Sequence, residues 1–189
     1  MIDEAQATQL LNEYVTSDSL KRHCKCVEVA MKFYARQRNQ SEADWGIVGL
    51  LHDFDYEKFP ETHPREGMKI LENLNCPTEW INAIGSHNQA LGIPIETPLE
   101  KYLFACDELS GFITAVTFVR PSKSILEVEP RSVLKKLRTA SFAANVSRDD
   151  VYEGAKLIGI ELQDHVSNLL TAFCDQADYL ELRGNYVPA

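Results

Sequence analysis

The sequence predicts an all-α fold, a helical bundle with a C-terminal helical extension, on three observations. Apolar residues recur at three- and four-residue spacing through nearly every segment, most segments open on helix-start residues, and no stretch alternates convincingly like a strand. Ser17-Asp18 opens a helix with Leu20, Cys24, Val27, Met31 and Tyr34 on one face. Ser41-Glu42-Ala43-Asp44 reads as a capping box ahead of Trp45, Val48 and Leu51. His63-Pro64 reads as a cap residue followed by proline at the first helical position, with Met68, Leu71 and Leu74 lining the helix. Pro77 opens the next, carrying Trp80, Ile81, Ile84 and Leu91, and Thr97-Pro98-Leu99-Glu100 starts another ahead of Leu103, Cys106 and Ile113. The strand-like composition of TAVTFV (114–119) is read as the tail of that helix. EPRSVLKKL (129–137) is a short basic helix. Ser147 to Asp150 cap a last helix through Val151, Ala155, Ile158, Leu162, Leu169, Phe173 and Leu180, kinked at Gly159.

A chain of 189 residues suits one domain, expected over 1–182 with a core of about 17–115, a helical extension of about 120–182 and a loose tail at 183–189. At 44% hydrophobic it builds a core without disulfide or metal staples. No apolar run approaches the roughly 18–20 residues of a membrane span, and the acidic, polar start MIDEAQATQL is not a secretory signal. The five cysteines (Cys24, Cys26, Cys76, Cys106, Cys174) are odd in number and scattered, which reads as reduced thiols in the cytoplasm. A net charge of −9 argues against nucleic-acid polymers or an anionic membrane as partners. The charge is uneven: from Arg120 to Arg148 seven Lys/Arg face two acids, a local +5 that leaves −14 elsewhere. That stretch is either an exposed basic helix or a wall that receives phosphate.

The histidines give the chain its chemistry. His23, His52 and His87 each lie three or four residues from an apolar helix position, and so does Asp107. Four separate helices thus turn one ionisable group inward, while Asp53 and His63 sit at helix ends. A buried carboxylate alone costs several kcal/mol, roughly, and needs a partner. No Lys or Arg stands on these faces; histidine is supplied instead, and imidazoles facing carboxylates are what a divalent metal asks for. Each residue alone has a plainer reading: His23 or His87 as a core histidine bonded to a carbonyl, Asp107 as the partner of a helix N-terminus, His63 as a cap. His165 is read as structural or surface.

The order His23, His52-Asp53, Asp107 resembles the H…HD…D signature of the HD superfamily of metal-dependent phosphohydrolases, over roughly residues 17–115. HPREGMKIL (63–71) is similar to the HPxxGxxIL stretch of subgroups that hold two metals, such as the HD-GYP phosphodiesterases, and GSHN (85–88) falls where those carry a further histidine. The chain as a whole looks like a family of small predicted HD hydrolases. The resemblance implies an HD-domain bundle in which His23, His52, Asp53 and Asp107 bind a first metal, Asp53 bridges, and His63 and His87 complete a second site. It implies one or two divalent ions (Fe, Mn, Mg, Co, Ni or Zn). The lysine of the HDxGK motif and the GYP motif are both absent, so cyclic di-GMP is not implied.

The expected function is hydrolysis of a phosphate ester, on a nucleotide or related small phosphorylated molecule. Lys58 is the nearest candidate cation after the HD pair, and Asp55 a candidate to hold a water or accept a proton. Arg120, Lys123, Lys135 and Lys136 are candidates to grip a second anionic group. The alternatives are a di-iron oxygenase of the same fold and a non-catalytic metal- or nucleotide-binding module. The sequence leaves the substrate, the native metal and the oligomeric state open.

Overall fold

A computed structural model describes residues 2–186, and among them it contains nine α-helices, short 3₁₀ turns and connecting segments, with no strand. The all-α expectation holds. By their internal contacts the residues divide into two compact units, Met1–Phe104 and Ala105–Ala189.

In the first unit, α1 (Glu4–Tyr14) opens on a capping box: Gln6 N donates to Asp3 Oδ1 at 2.8 Å, and Asp3 N donates back to Gln6 Oε1 at 2.9 Å. The turn after it is held from a distance. Glu57 accepts the amides of Thr16 and Ser17, at 3.0 Å each, and the Thr16 hydroxyl. Ser17 then caps α2 (Asp18–Gln37), whose Cys24, Val27, Met31 and Tyr34 are buried as their spacing predicts. Ser41 caps α3 (Glu42–Leu51), in which Trp45 through Leu51 are all buried.

These two helices pack backbone against backbone. A Cβ added at Gly49 would stand 2.9 Å from Val27 O and 3.0 Å from Glu28 N. Only glycine allows that approach, which brings the His23 helix against the helix that ends at His52. Glu28, itself buried, is paired with Lys32 at 2.7 Å, and Lys32 also reaches Glu4 at 2.6 Å. α4 (Arg65–Asn73) and α5 (Thr78–His87) follow. α6 (Pro98–Phe118) starts where expected, with Glu100 Oε2 accepting the amides of Glu96 and Thr97 at 2.7 Å each.

The second unit contains the rest of α6, then α7 (Pro130–Leu137), α8 (Arg148–Leu157) and α9 (Leu162–Asp175). The TAVTFV stretch is the helix tail the sequence suggested, through Phe118. The single last helix is two. Gly159 has φ +68°, a left-handed position that stops α8 instead of bending it, with Ile160 N bonded back to Ala155 O. Arg148 is spent on the loop before α8: it bonds the carbonyls of Phe142, Ala143 and Val146, and its guanidinium lies 5.0 Å over the Phe112 ring. Near the C-terminus Ile125 N donates to Leu182 O and Asn185 N to Ser122 O, at 2.8 Å each. Residues 187–189 of the expected tail lie outside the described residues. None of the five cysteines forms a disulfide, and no described helix is long and apolar enough to cross a membrane.

Candidate metal centre

Two helix ends supply the core of the centre by the same device. His52 closes α3 and His87 is the last residue of α5. Carbonyls in the last turn of a helix lack an intrahelical partner. Each histidine turns Nδ1–H onto the carbonyl three residues back, His52 to Gly49 O at 2.8 Å and His87 to Ile84 O at 2.5 Å. With Nδ1 donating, each Nε2 is a lone pair aimed the other way. The negative ends of both helices also lie at their histidines and favour positive charge there.

His63 is oriented differently. Its Nδ1 is 2.7 Å from Asp55 Oδ1, and because an ionised carboxylate only accepts, Nδ1 carries the proton. Its Nε2 stands 3.3 Å from His87 Nε2. His23, from the middle of α2, sets its Nε2 3.0 Å from His52 Nε2. The four imidazoles therefore form two pairs, and Asp53 lies against both. Its Oδ1 is 3.1 Å from His63 and 3.4 Å from His87; its Oδ2 is 3.5 Å from His52 and 3.6 Å from His23.

This arrangement tests itself for a cation. His63 and His87 both hold their proton on Nδ1, so two Nε2 lone pairs face one another at a distance where they repel. A positive charge between them, a proton or a metal ion, relieves that repulsion. Without metal it is a proton: burial opposes charge on His63, but the hydrogen bonds to Asp53 and Asp55 outweigh it and raise its pKa to about 9. Burial likewise opposes the charge on Asp53, yet His52, His63 and His87 hold its carboxyl well below the usual carboxylate range. Asp53, His63 and His87 offer ligand atoms that all lie within 4.8 Å of one another, a nitrogen- and oxygen-rich set of the kind divalent first-row metals take. The residues fit a metal ion.

Five of the six ligands expected from the sequence, His23, His52, Asp53, His63 and His87, thus meet within the first unit. The sixth, Asp107, lies half-buried on α6, within the second unit. His63 is no cap: α4 has Pro64 at its N-cap position with no side-chain bond there, and the imidazole is turned inward. Asp55 is fully buried with both oxygens engaged, Oδ1 by His63 and Oδ2 by Gly67 N at 2.7 Å, so it is not free to take a proton from water. Lys58 is exposed, with Nζ 4.1 Å over the ring of Tyr14. Arg120, Lys123, Lys135 and Lys136 belong to the second unit, where Arg120 Nε is 3.8 Å from Glu127 and Lys136 Nζ lies 4.6 Å over the Phe142 ring.

Sequence reasoning missed the two orienting carbonyls, Gly49 and Ile84, and the Gly67 amide. The recurring spacing of GLLH (49–52) and IGSH (84–87), each a histidine at a helix end, is the signal that could have pointed to the carbonyls. His165, read as structural or surface, is fully buried, with Nε2 2.9 Å from Ala105 O.

No protein-family model, curated protein or solved structure matches this chain.

Proposed function

We propose that the chain is a metal-dependent phosphohydrolase acting on a phosphate ester, in a nucleotide or a related small phosphorylated molecule. The observation that carries this reading is Asp53, whose two carboxylate oxygens each face one histidine pair. That is the layout of a carboxylate shared between two cations. His23 and His52 form one pair, to which the sequence resemblance adds Asp107; Asp53, His63 and His87 form the other group. The H…HD…D order of these residues, which resembles the HD superfamily, supports the same assignment.

Bound divalent ions supply positive charge for the phosphoryl oxygens and lower the pKa of an attacking water. The chain's own residues set the geometry. The His52, His63 and His87 side chains are 0%, 7% and 6% exposed, whereas His23 and Asp53 are 20% and 19% exposed. A phosphate therefore approaches from the side of His23 and Asp53, and the other three imidazoles keep the opposite side dry. Asp55, committed to His63 and Gly67, orients and does not shuttle protons.

The test is a phosphate-release screen over mononucleotides, dinucleotides and simple phosphate esters with Mn²⁺, Mg²⁺, Fe²⁺ or Co²⁺. Release that needs metal, and that is lost in His52→Ala and Asp53→Ala, is the expected result. Full activity in those variants would overturn the site. Ligand recovered unchanged after long incubation would identify a binding module, and substrate-dependent oxygen uptake with iron an oxygenase.

A further inference from the structure

We propose that Asp55 is a positioning residue that ties the start of α4 to the His63 imidazole and so sets one side of the centre apart from the other; the inference rests on the metal-centre reading above. The first amides of a helix have no acceptor inside it. α4 begins at Arg65 behind Pro64, and no side chain caps it locally. Asp55, ten residues before Arg65, serves instead: Gly67 N donates to its Oδ2 at 2.7 Å. The positive end of the helix favours that negative charge.

The other oxygen, Oδ1, accepts a hydrogen bond from His63 Nδ1–H at 2.7 Å. Asp55 is fully buried, so no bulk water replaces either bond if it is lost. The glycine at 67 is part of the device. A Cβ there would stand 2.9 Å from Asp55 Cγ, 3.1 Å from Oδ1 and 3.0 Å from Phe54 Cε1. A residue with no Cβ is what lets the carboxylate reach the amide. HPREG thus places the ligand and, four residues on, the donor that anchors the ligand's support.

The consequence is an asymmetric centre. His52 and His87 lean on neutral carbonyls, whereas His63 leans on a full negative charge. A carboxylate behind an imidazole fixes its ring and strengthens its other nitrogen as a donor to a cation. The ion held by Asp53, His63 and His87 therefore depends on Asp55 and on the seating of α4, and an ion held by His23 and His52 does not.

The experiment is Co²⁺ titration of full-length chain stripped of metal, followed by ligand-field absorption and elemental analysis. His63→Ala and His23→Ala identify which uptake step belongs to which side. Asp55→Asn removes the charge; Gly67→Ala leaves every ligand and charge in place and presses on the carboxylate and on the Phe54 ring beside it. Both are expected to weaken the His63-dependent step by roughly 10–100-fold, with the His23-dependent step and the helical circular dichroism unchanged. Wild-type affinity at the His63-dependent step in both variants would overturn the role of Asp55. Equal weakening of both steps would overturn it too, because it would mark a support of the fold and not of His63. A wild-type chain that takes up no Co²⁺ removes the metal centre itself, a distinguishable failure.

Discussion

His63 and His165 are both shut away from solvent, and they respond to that confinement in opposite ways. The His63 side chain is 7% exposed and its pKa is raised to about 9; His165 is fully buried and its pKa is lowered to about 4. Burial disfavours the charged form of both. The difference lies in what each ring meets. His63 faces two carboxylates, Asp53 and Asp55, which outweigh the loss of water. His165 lies against a backbone carbonyl, Ala105 O, whose bond does not offset the loss of water. Burial alone therefore does not mark a functional histidine. The charges gathered round it do.

The largest expected effect breaks the His63 side of this comparison. Removing Asp53 takes away a carboxylate that faces all four imidazoles, so Asp53→Ala should lose metal and lower phosphate release by more than the roughly 100-fold that follows loss of an outer partner. A metal-dependent activity that survives it assigns the chemistry elsewhere. Next comes pH. His63 carries a proton below about pH 9 that an incoming ion must displace. Affinity for that ion should rise by about tenfold per pH unit from neutral toward pH 9, measured by competition with a chelator of known affinity. A flat profile would mean that His63 is not a ligand.

His165 sharpens the other side. Its folded pKa, about 4, lies below the ordinary 6.5, so between those values the unfolded chain binds more protons than the folded one. The folded state should therefore lose stability as pH falls through this window, by about 3 kcal/mol in total. His165→Gln should flatten that slope, read from urea midpoints at matched pH. Gly49→Ala is expected to cost about 1–3 kcal/mol, because its Cβ would press on Val27 O, and to disturb His52 through the Gly49 carbonyl. The smallest effect falls on Lys58→Ala: the ammonium is exposed over the Tyr14 ring, and the rate of phosphate release should stay near wild type. A collapse of the maximal rate with unchanged KM would return Lys58 to the reacting phosphate.

Much of the architecture was legible in the residues because helices announce themselves locally. Ser17, Ser41 and Ser147 cap helices where their neighbours suggested, and the buried stripe of α2 follows its three- and four-residue spacing. α1 went unassigned although Asp3 and Gln6 form a capping box, since that pair was read only as acidic, polar sequence. Gly159 was legible as an irregularity but not as a stop: its positive φ is a property of the turn it makes. The candidate ligands were legible because inward-facing ionisable groups violate the apolar pattern around them. Their division of labour was not. His63 as cap or ligand depends on Asp53 and His87, ten and twenty-four residues away, and the choice for Asp55 depends on a glycine amide twelve residues on. Those partners meet only after the chain has folded.

Glu57 lies between Asp53 and His63 and receives the amides of Thr16 and Ser17. The stretch that delivers His63 is thereby buttoned to the turn that launches the His23 helix. If that button comes undone, the stretch can lift away, and two amide protons otherwise shielded by the carboxylate become free to exchange with deuterium. Exchange at positions 16 and 17 would then serve as a gauge of how often the stretch opens, readable in a molecule that is turning over nothing.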